Sequence, residues 1–460
     1  MTNKKQKKQK KTIPIFIFFK IDQVPSDLKG YAENIKNSDI SSKNFVKKDK
    51  KIFVFLNNLG KLNKLQRNYY LLYAGVKLGN FCDEGKFHIE YFGDSSGLYA
   101  KNIDLGWFLS TYSFQRFKKE NVKSKKRLLI SRFDQDVVIE KNIYFFVRDL
   151  INMPANILGP REIFESAKDF FKDTFSYKSF KGARLKKEFP LIQAVGKGAS
   201  EEKSPLLCEF KLERKKKKLQ KKIFIVGKGV SFDTGGLNLK SGAGMSLMKK
   251  DMGGAANAIG LAKLLSSKNL NINIHLLLCL VENSVSENSI RPSDIFKSRQ
   301  GMHVEVSDTD AEGRLIMADA LRYASESKPD LIIDMATLTG ASRVAMGTDI
   351  PSFFCNNDEL SMNLIKSSQE VGDPVWQLPL WQNYLSQLTS THADIKNLGN
   401  SMFGGAITAA LFLEQFVDSG IPWIHVDLMA WSKPNRLSNY DGGEAMGIRA
   451  LANLIEKNFC

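Results

Sequence analysis

Short apolar runs bounded by polar or glycine-rich stretches recur along the chain and alternate with longer segments of helical spacing. Before about residue 140, Ile13 to Phe19 and Lys51 to Leu56 read as strands set among helical stretches. From about Asn142 onward the alternation is regular. It predicts strands over Lys222 to Val226, Ile272 to Val281 and Leu331 to Met335, and helices over Met252 to Ser267 and Ala311 to Ser325. Such alternation implies parallel strands joined by crossover helices. The expected class is α/β with two domains: a smaller N-terminal α/β domain over 13–140 and a larger C-terminal catalytic α/β domain over 141–460. The larger domain is expected to hold a mainly parallel central sheet flanked by helices. Residues 1–12 are too polar to fold and read as a basic disordered tail. A chain of 460 residues can bury two cores, and no solenoid-length repeat is evident.

Charge adds a second possibility. The formal net charge of +18 favours a polyanion partner, but its distribution weakens that reading. The first eleven residues and the stretch Lys211 to Lys222 together carry net +13 of it. Lying between two strand-like runs, the second stretch reads as the solvated tip of a hairpin. Neither segment brings base-reading chemistry or an interleaved aromatic platform. The five cysteines, Cys82, Cys208, Cys279, Cys355 and Cys460, are odd in number, widely spaced and without a CxxC pair, which fits a reducing cytoplasm. The lysines followed by Ile13 to Phe19 imitate the start of a signal peptide. Lys20 and Asp22 end that apolar run at once, however, and no cleavage-like site follows. No run approaches the roughly 18 apolar residues that span a membrane.

The densest chemistry lies in Ser307 to Leu315, where Asp308, Asp310, Glu312 and Arg314 crowd together before a helix-like run. Buried together, close carboxylates repel, and desolvation costs several kcal/mol per ion unless a cation neutralises them. In an extended segment Asp310 and Glu312 would point to one side, Gly313 would let backbone approach a ligand, and Arg314 offers a donor fork for a small oxyanion. Taken alone, the segment also fits a solvated helix N-terminus. A second cluster follows the apolar run Ile223 to Val226: Lys228 between two glycines, then Asp233, Lys240 and, ahead of an alanine-rich helix, Met248 to Gly254 with Asp251 inside it. No phosphate-cradling GxxxxGK[ST] or GxGxxG pattern is present.

Together these segments resemble the leucine aminopeptidase family, the two-metal cytosol aminopeptidases. Asp308 to Leu315 matches the signature NTDAEGRL. Val226 to Lys240 and Met248 to Gly254 match its upstream motifs, Asp334 to Ala341 its ATLTGA strand end, and Gly404 to Ala410 its GGAITAA helix. The likeness runs in order from about Arg148 to Leu454, where Arg148 to Asn156 looks like the start of the catalytic domain. Gly106 to Lys119 looks like the family's helix before the domain junction. One departure is Asp308 in place of the family's asparagine.

The resemblance implies roles. Lys228, Asp233, Asp251, Asp310 and Glu312 would be the side-chain ligands of two divalent cations, four carboxylates balancing two dications with Lys228 as a neutral amine. Lys240 and Arg314 would be the non-ligand catalytic pair. Lys240 would stabilise the oxyanion formed when a water bridging both metals attacks the first peptide bond, and Arg314 would hold a bicarbonate ion that shuttles the proton. Binding of the free α-amine by one metal would restrict the enzyme to N-terminal residues. Thr337, Leu338 and Gly340 would contact substrate, and Met248 would line the pocket for the first side chain. Oxygen and amine donors suit zinc, manganese, magnesium or cobalt, with manganese and zinc leading. All five histidines, His88, His275, His303, His392 and His425, stand outside these motifs, and His425 reads as a core residue.

The leading reading is therefore a cytoplasmic two-metal aminopeptidase acting on short peptides with a free N-terminus. The resemblance also implies a homohexamer with active sites facing an interior cavity, and no membrane association is expected. One alternative is a nucleic-acid-binding regulator using the lysine-rich tail and hairpin; another is a two-metal phosphoester hydrolase, for which no phosphate cradle is visible.

Overall fold

The computed structural model describes residues 12–35, 40, 42–57, 59–94, 97–119, 126–128, 134–214, 220–433 and 440–460. Except for Thr12, the expected basic tail lies outside the described residues, as do residues 215–219 of the second lysine-rich stretch. The chain divides into two compact units between Phe145 and Phe146, with Tyr440 counted in the first. This division falls inside a helix, Gln135–Asn152, which also contains the position near 140 expected as a boundary.

The first unit is built on strands β1 (Ile13–Phe18), β2 (Phe45–Lys48), β3 (Lys51–Phe55), β4 (Gly85–Phe92) and β5 (Lys126–Leu128), in the order β2-β3-β1-β4-β5. β1 runs parallel to both β3 and β4. Ile15 and Ile17, two apart and therefore on one face, are fully buried with Leu71, Leu78, Ile103 and Trp107 from the helices Lys64–Phe81 and Leu98–Ser110. The first of these helices starts at a capping box, with Asn63 and Gln66 each accepting the other's backbone N–H. The second differs from expectation: the helix anticipated over Gly106 to Lys119 runs over Leu98–Ser110 instead and stops there.

In the second unit eight strands form one sheet: β6 (Ser176–Phe180), β7 (Leu206–Leu212), β8 (Lys221–Asp233), β9 (Ile272–Asn283), β12 (Leu331–Ala336), β13 (Ser352–Cys355), β14 (Trp376–Gln377) and β16 (Trp423–Asp427). Short strands β10 (Ile295–Lys297), β11 (His303–Glu305) and β15 (Ile395–Lys396) form a separate small sheet. The large sheet has the order β14-β13-β16-β12-β8-β9-β7-β6. Its centre, β16-β12-β8-β9, is parallel throughout, while β6, β7 and β13 join through antiparallel pairings. The central strands carry continuous apolar runs, Ile223 to Val226 and Leu276 to Val281, because helices cover both faces.

β9 lies between β7 and β8, so these two strands do not pair. The hairpin expected around Lys211 to Lys222 is thus corrected to a connection that steps across a third strand. Sequence neighbours with strand character suggest a hairpin, but the long apolar run of β9 is the better partner for both.

Chain order places the site. From β8 the chain crosses through helix Gly253–Ser267 to β9 on one side, then returns through helix Glu312–Glu326 to β12 on the other. Connections that leave in opposite directions open a crevice at the carboxyl ends of β8 and β12. Gly254 brings the first crossover helix close: a Cβ there would lie 2.2 Å from the carbonyl oxygen of Met335 in β12.

Candidate active site

A pocket of about 490 Å³ opens at this crevice. All eleven residues singled out in the sequence line it: Lys228, Asp233, Lys240, Met248, Asp251, Asp310, Glu312, Arg314, Thr337, Leu338 and Gly340. They arrive on separate elements. Lys228 and Asp233 lie within β8, Lys240 follows it in a loop, and Asp251 sits in the 3-10 turn Met248–Met252 ahead of the first crossover helix. Asp310 occupies a turn, Glu312 is the first residue of the second crossover helix, and Thr337 to Gly340 follow β12.

Two details differ from the extended geometry expected for Asp310 and Glu312. Asp308 Oδ1 accepts the backbone N–H of Asp310 at 2.8 Å, closing a turn, and Glu312 then enters the helix. The two carboxylates converge through that turn and not through strand alternation. An asparagine oxygen makes the same bond, so Asp308 preserves this local geometry despite its added charge. Gly313 makes room for Lys228 instead of a ligand: a Cβ at 313 would lie 2.6 Å from Lys228 Cε.

Ammonium groups and carboxylates interleave at the pocket floor. Lys228 Nζ lies 2.7 Å from Asp251 Oδ2 and 3.0 Å from Glu312 Oε1, and donates to the Thr337 carbonyl at 3.1 Å. Lys240 Nζ lies 2.8 Å from Asp233 Oδ2 and makes a short contact with Asp310. Asp233 Oδ1 accepts from the Gly235 N–H at 2.9 Å and from Asn283 Nδ2 at 2.8 Å. Thr337 Oγ1 donates to Asp251 Oδ1 at 2.7 Å, so its side chain buttresses the acid.

The electrostatics follow from this crowding. Burial, then repulsion from Asp233, pushes the Glu312 carboxyl up to about 8, and the same causes raise Asp310 to about 6. Burial opposes the charge on Lys228, but Asp251, Glu312 and Asp233 outweigh it and hold the ammonium well above its ordinary value. Lys240 is raised in the same way by Asp233 and Glu312 against its own desolvation. Among carboxylates alone, then, charged Lys228 is the stable form, and coordination requires a cation to replace its proton. Burial lowers Arg314 to about 10; its Nη1 donates to the Asn397 carbonyl at 2.5 Å, and its Nε is buried without a partner among the described residues.

This donor set fits divalent cations. Glu312 Oε2 is buried with no hydrogen-bond partner among the described residues, and oxygens of Asp233, Asp310 and Glu312 lie within 4.8 Å of one another. Burial and mutual repulsion keep protons on acids of this cluster, and hard cations relieve both when they take the protons' place.

Several supporting residues were not read from the sequence. Asn397 accepts the N–H groups of Ser307 and Asp308 at 2.8 and 3.2 Å, and returns Nδ2 to the Asp308 carbonyl at 2.7 Å. Asn283 and Thr309 brace the Asp233 loop, Thr309 Oγ1 donating to the Gly235 carbonyl at 2.6 Å. Asparagines at strand ends and loops carry no pattern that distinguishes them. His425 is fully buried as expected, with Nδ1 2.5 Å from Asp334 Oδ1 and its ring stacked on Phe354.

A mixed sheet whose parallel centre ends in a carboxylate-and-lysine cluster able to hold divalent cations marks an α/β protein with a candidate metal site. Comparison with known proteins narrows this. The model of the cytosol aminopeptidase family, catalytic domain, matches residues 145–452. A probable cytosol aminopeptidase of Aquifex aeolicus is 35% identical over 88% of this chain and 85% of its own length. The crystal structure of a cytosol aminopeptidase from Coxiella burnetii superposes with a TM-score of 0.86 at 34% identity, covering 98% of each chain. A mutant of tomato leucine aminopeptidase superposes at 0.84 and 26% identity, covering 97% of this chain and 94% of its own. The chain belongs to the cytosol aminopeptidase family. It is accordingly a metal-dependent aminopeptidase that acts on peptides. Nothing in these comparisons supports a nucleic-acid-binding role, and no helix among the described residues is long and apolar enough to cross a membrane.

Proposed function

We propose that the pocket holds two divalent cations, manganese or zinc, through Lys228, Asp233, Asp251, Asp310 and Glu312, and releases N-terminal residues from short peptides. The observation that supports this reading is the buried Glu312 Oε2 without a hydrogen-bond partner among the described residues, within 4.8 Å of oxygens of Asp233 and Asp310. Bound there, the cations supply Lewis acidity and lower the pKa of water toward neutrality. Lys240 remains partly open to the pocket and offers its ammonium to negative charge developing on the scissile carbonyl oxygen. Arg314 offers the unpartnered Nε as a buried donor for bicarbonate. Thr337, Leu338 and Gly340 would contact the substrate and Met248 would line the pocket for its first side chain, while a free α-amine could donate its lone pair to one of the cations where an acylated nitrogen could not.

The same reading places the protein in the cytoplasm as a homohexamer. Its test combines both parts in one preparation. Metal-depleted protein, sized by light scattering, is assayed before and after manganese or zinc on dipeptides and aminoacyl amides with free or acetylated N-termini. The expected result is hexameric mass and metal-dependent turnover of the free-amine substrates alone. Equal turnover of acetylated substrates would overturn the aminopeptidase site, and a monomeric mass would overturn the assembly.

A further inference from the structure

Lys250 has no part in the chemistry above, yet it lies on the wall of the same pocket with only 2% of its surface exposed. Among the described residues its ammonium forms no hydrogen bond or ion pair. Its neighbour Lys249 is accounted for, donating to the Asn152 carbonyl at 2.9 Å. The two acids whose charges act on Lys250 are Asp251 and Asp427, and both are engaged elsewhere. Asp251 is held by Thr337 and Lys228. Asp427 accepts the N–H groups of Leu338 and Thr339 and the Thr339 hydroxyl, at 3.0, 3.1 and 2.6 Å. Arg343, from the helix Gly340–Met346, lines the pocket too, half-buried, and its guanidinium likewise meets no acid among the described residues. Beyond the floor, where carboxylates pair with Lys228 and Lys240, the pocket thus carries two cations that meet no acid among the described residues.

A buried ammonium without a partner is costly, and a carboxylate arriving with a ligand relieves that cost while excluding neutral rivals. Taking the aminopeptidase reading as its base, the geometry points to Lys250, with Arg343 beside it, as a specificity-determining pair that receives a carboxylate of the substrate. Lys250 and Met248, the residue proposed to line the first side chain's pocket, both line this one cavity, so a carboxylate on the first residue lies within the same space as the ammonium. The carboxylate has two sources: the side chain of an aspartate or glutamate at the first position, or the C-terminus of a dipeptide. An aspartyl or glutamyl end is the form in which both cations are answered without shortening the peptide.

Isosteric substrate pairs test this on metal-loaded, full-length protein. Aspartyl against asparaginyl amides, and glutamyl against glutaminyl amides, differ in charge and hardly in shape. Leu-Gly against Leu-Gly-amide reports the C-terminal source. The wild-type kcat/KM ratio of acid to amide is expected to be about tenfold, the scale of one charge-assisted hydrogen bond. It should fall toward one in Lys250→Met and be retained in Lys250→Arg. Should Lys250→Met fold poorly, Arg343→Gln, at a half-buried position, should lower the same ratio. A charge preference confined to the Leu-Gly pair and lost in Lys250→Met assigns the wall to the C-terminus. Ratios near one in the wild type, or unmoved by either variant while leucine amide is turned over, overturn the carboxylate wall alone. No turnover of any free-amine substrate overturns the underlying reading and this inference with it.

Discussion

Lys240 and Asp310 touch one another at the pocket floor, yet their removal should have different consequences. Asp310 contributes an oxygen to the cluster within 4.8 Å, whereas Lys240 contributes a charge that a cation site does not need as a ligand. Lys240→Ala should lower kcat on the order of 100-fold, the usual cost of losing an oxyanion donor, with metal content near that of the wild type. Asp310→Ala should lose both metal and turnover. Elemental analysis of the purified variants beside their kinetics decides it, and equal metal loss in both would contradict the division into ligands and non-ligands. Much of this floor was legible at the residue level, because acids, lysines and glycines at fixed offsets form long motifs. The reason for their convergence was not: the Asp308 turn, the space Gly313 leaves for Lys228 and the bracing by Asn397 depend on contacts across distant segments. Lys250 was hidden for a related reason. It sits among other lysines in the sequence, and only burial separates it from a surface charge.

Secondary-structure elements carry the site through their spacing, and Gly254 sets the tightest of these distances. Adding a methyl group there places carbon 2.2 Å from the Met335 carbonyl oxygen, and neither the helix nor the buried strand β12 can yield locally. Gly254→Ala should destabilise the protein by about 2 kcal/mol, in the range for overpacked cores. Because Asp251 lies three residues ahead on the turn that opens this helix, metal affinity should weaken as well. A urea midpoint and metal affinity equal to the wild type would refute the close-packing argument. The apolar runs located the starts of the central strands to within a residue and the ends of β9 and β12 to within two, whereas β8 continues seven residues past Val226 to Asp233, because its glycine-rich second half still pairs with β9. Pairing was less legible. The step from β7 across β9 to β8 was read as a hairpin, since a single sequence shows which segments are strands but not which partner each prefers. The helix over Leu98–Ser110 was displaced for a similar reason, its buried face being set by close packing on the helix Lys64–Phe81, where Gly75 and Gly106 let the backbones meet, and by Trp107 against Phe87 of β4.

Stability of the whole chain against acid has a specific anchor away from the pocket. Glu209 in β7 is 1% exposed and receives His275 from β9 at 3.0 Å, the Tyr323 hydroxyl from helix Glu312–Glu326 at 2.8 Å and Lys178 from β6 at 2.8 Å. One carboxylate therefore ties three strands at the sheet margin to the helix that opens with Glu312. Burial alone would raise its pKa, but His275, Lys178 and Tyr323 prevail and bring it from 4.5 to about 2. A carboxyl whose folded pKa is depressed contributes stability that is present above its unfolded value and disappears as pH falls through its folded value. The contribution is accordingly complete above about pH 4.5 and gone below about pH 2. Linkage bounds it at about 3 kcal/mol, and screening at half-exposed Lys178 brings it nearer 2. Glu209→Gln should lower the urea midpoint of metal-depleted protein at pH 7 and then lose less than the wild type between pH 4.5 and 2. Metal depletion matters here, since proton competition at the pocket acids would otherwise add its own acid limb. Parallel pH profiles of wild type and variant would show that the margin is held by packing alone, whereas converging profiles would assign the acid sensitivity of this sheet to Glu209.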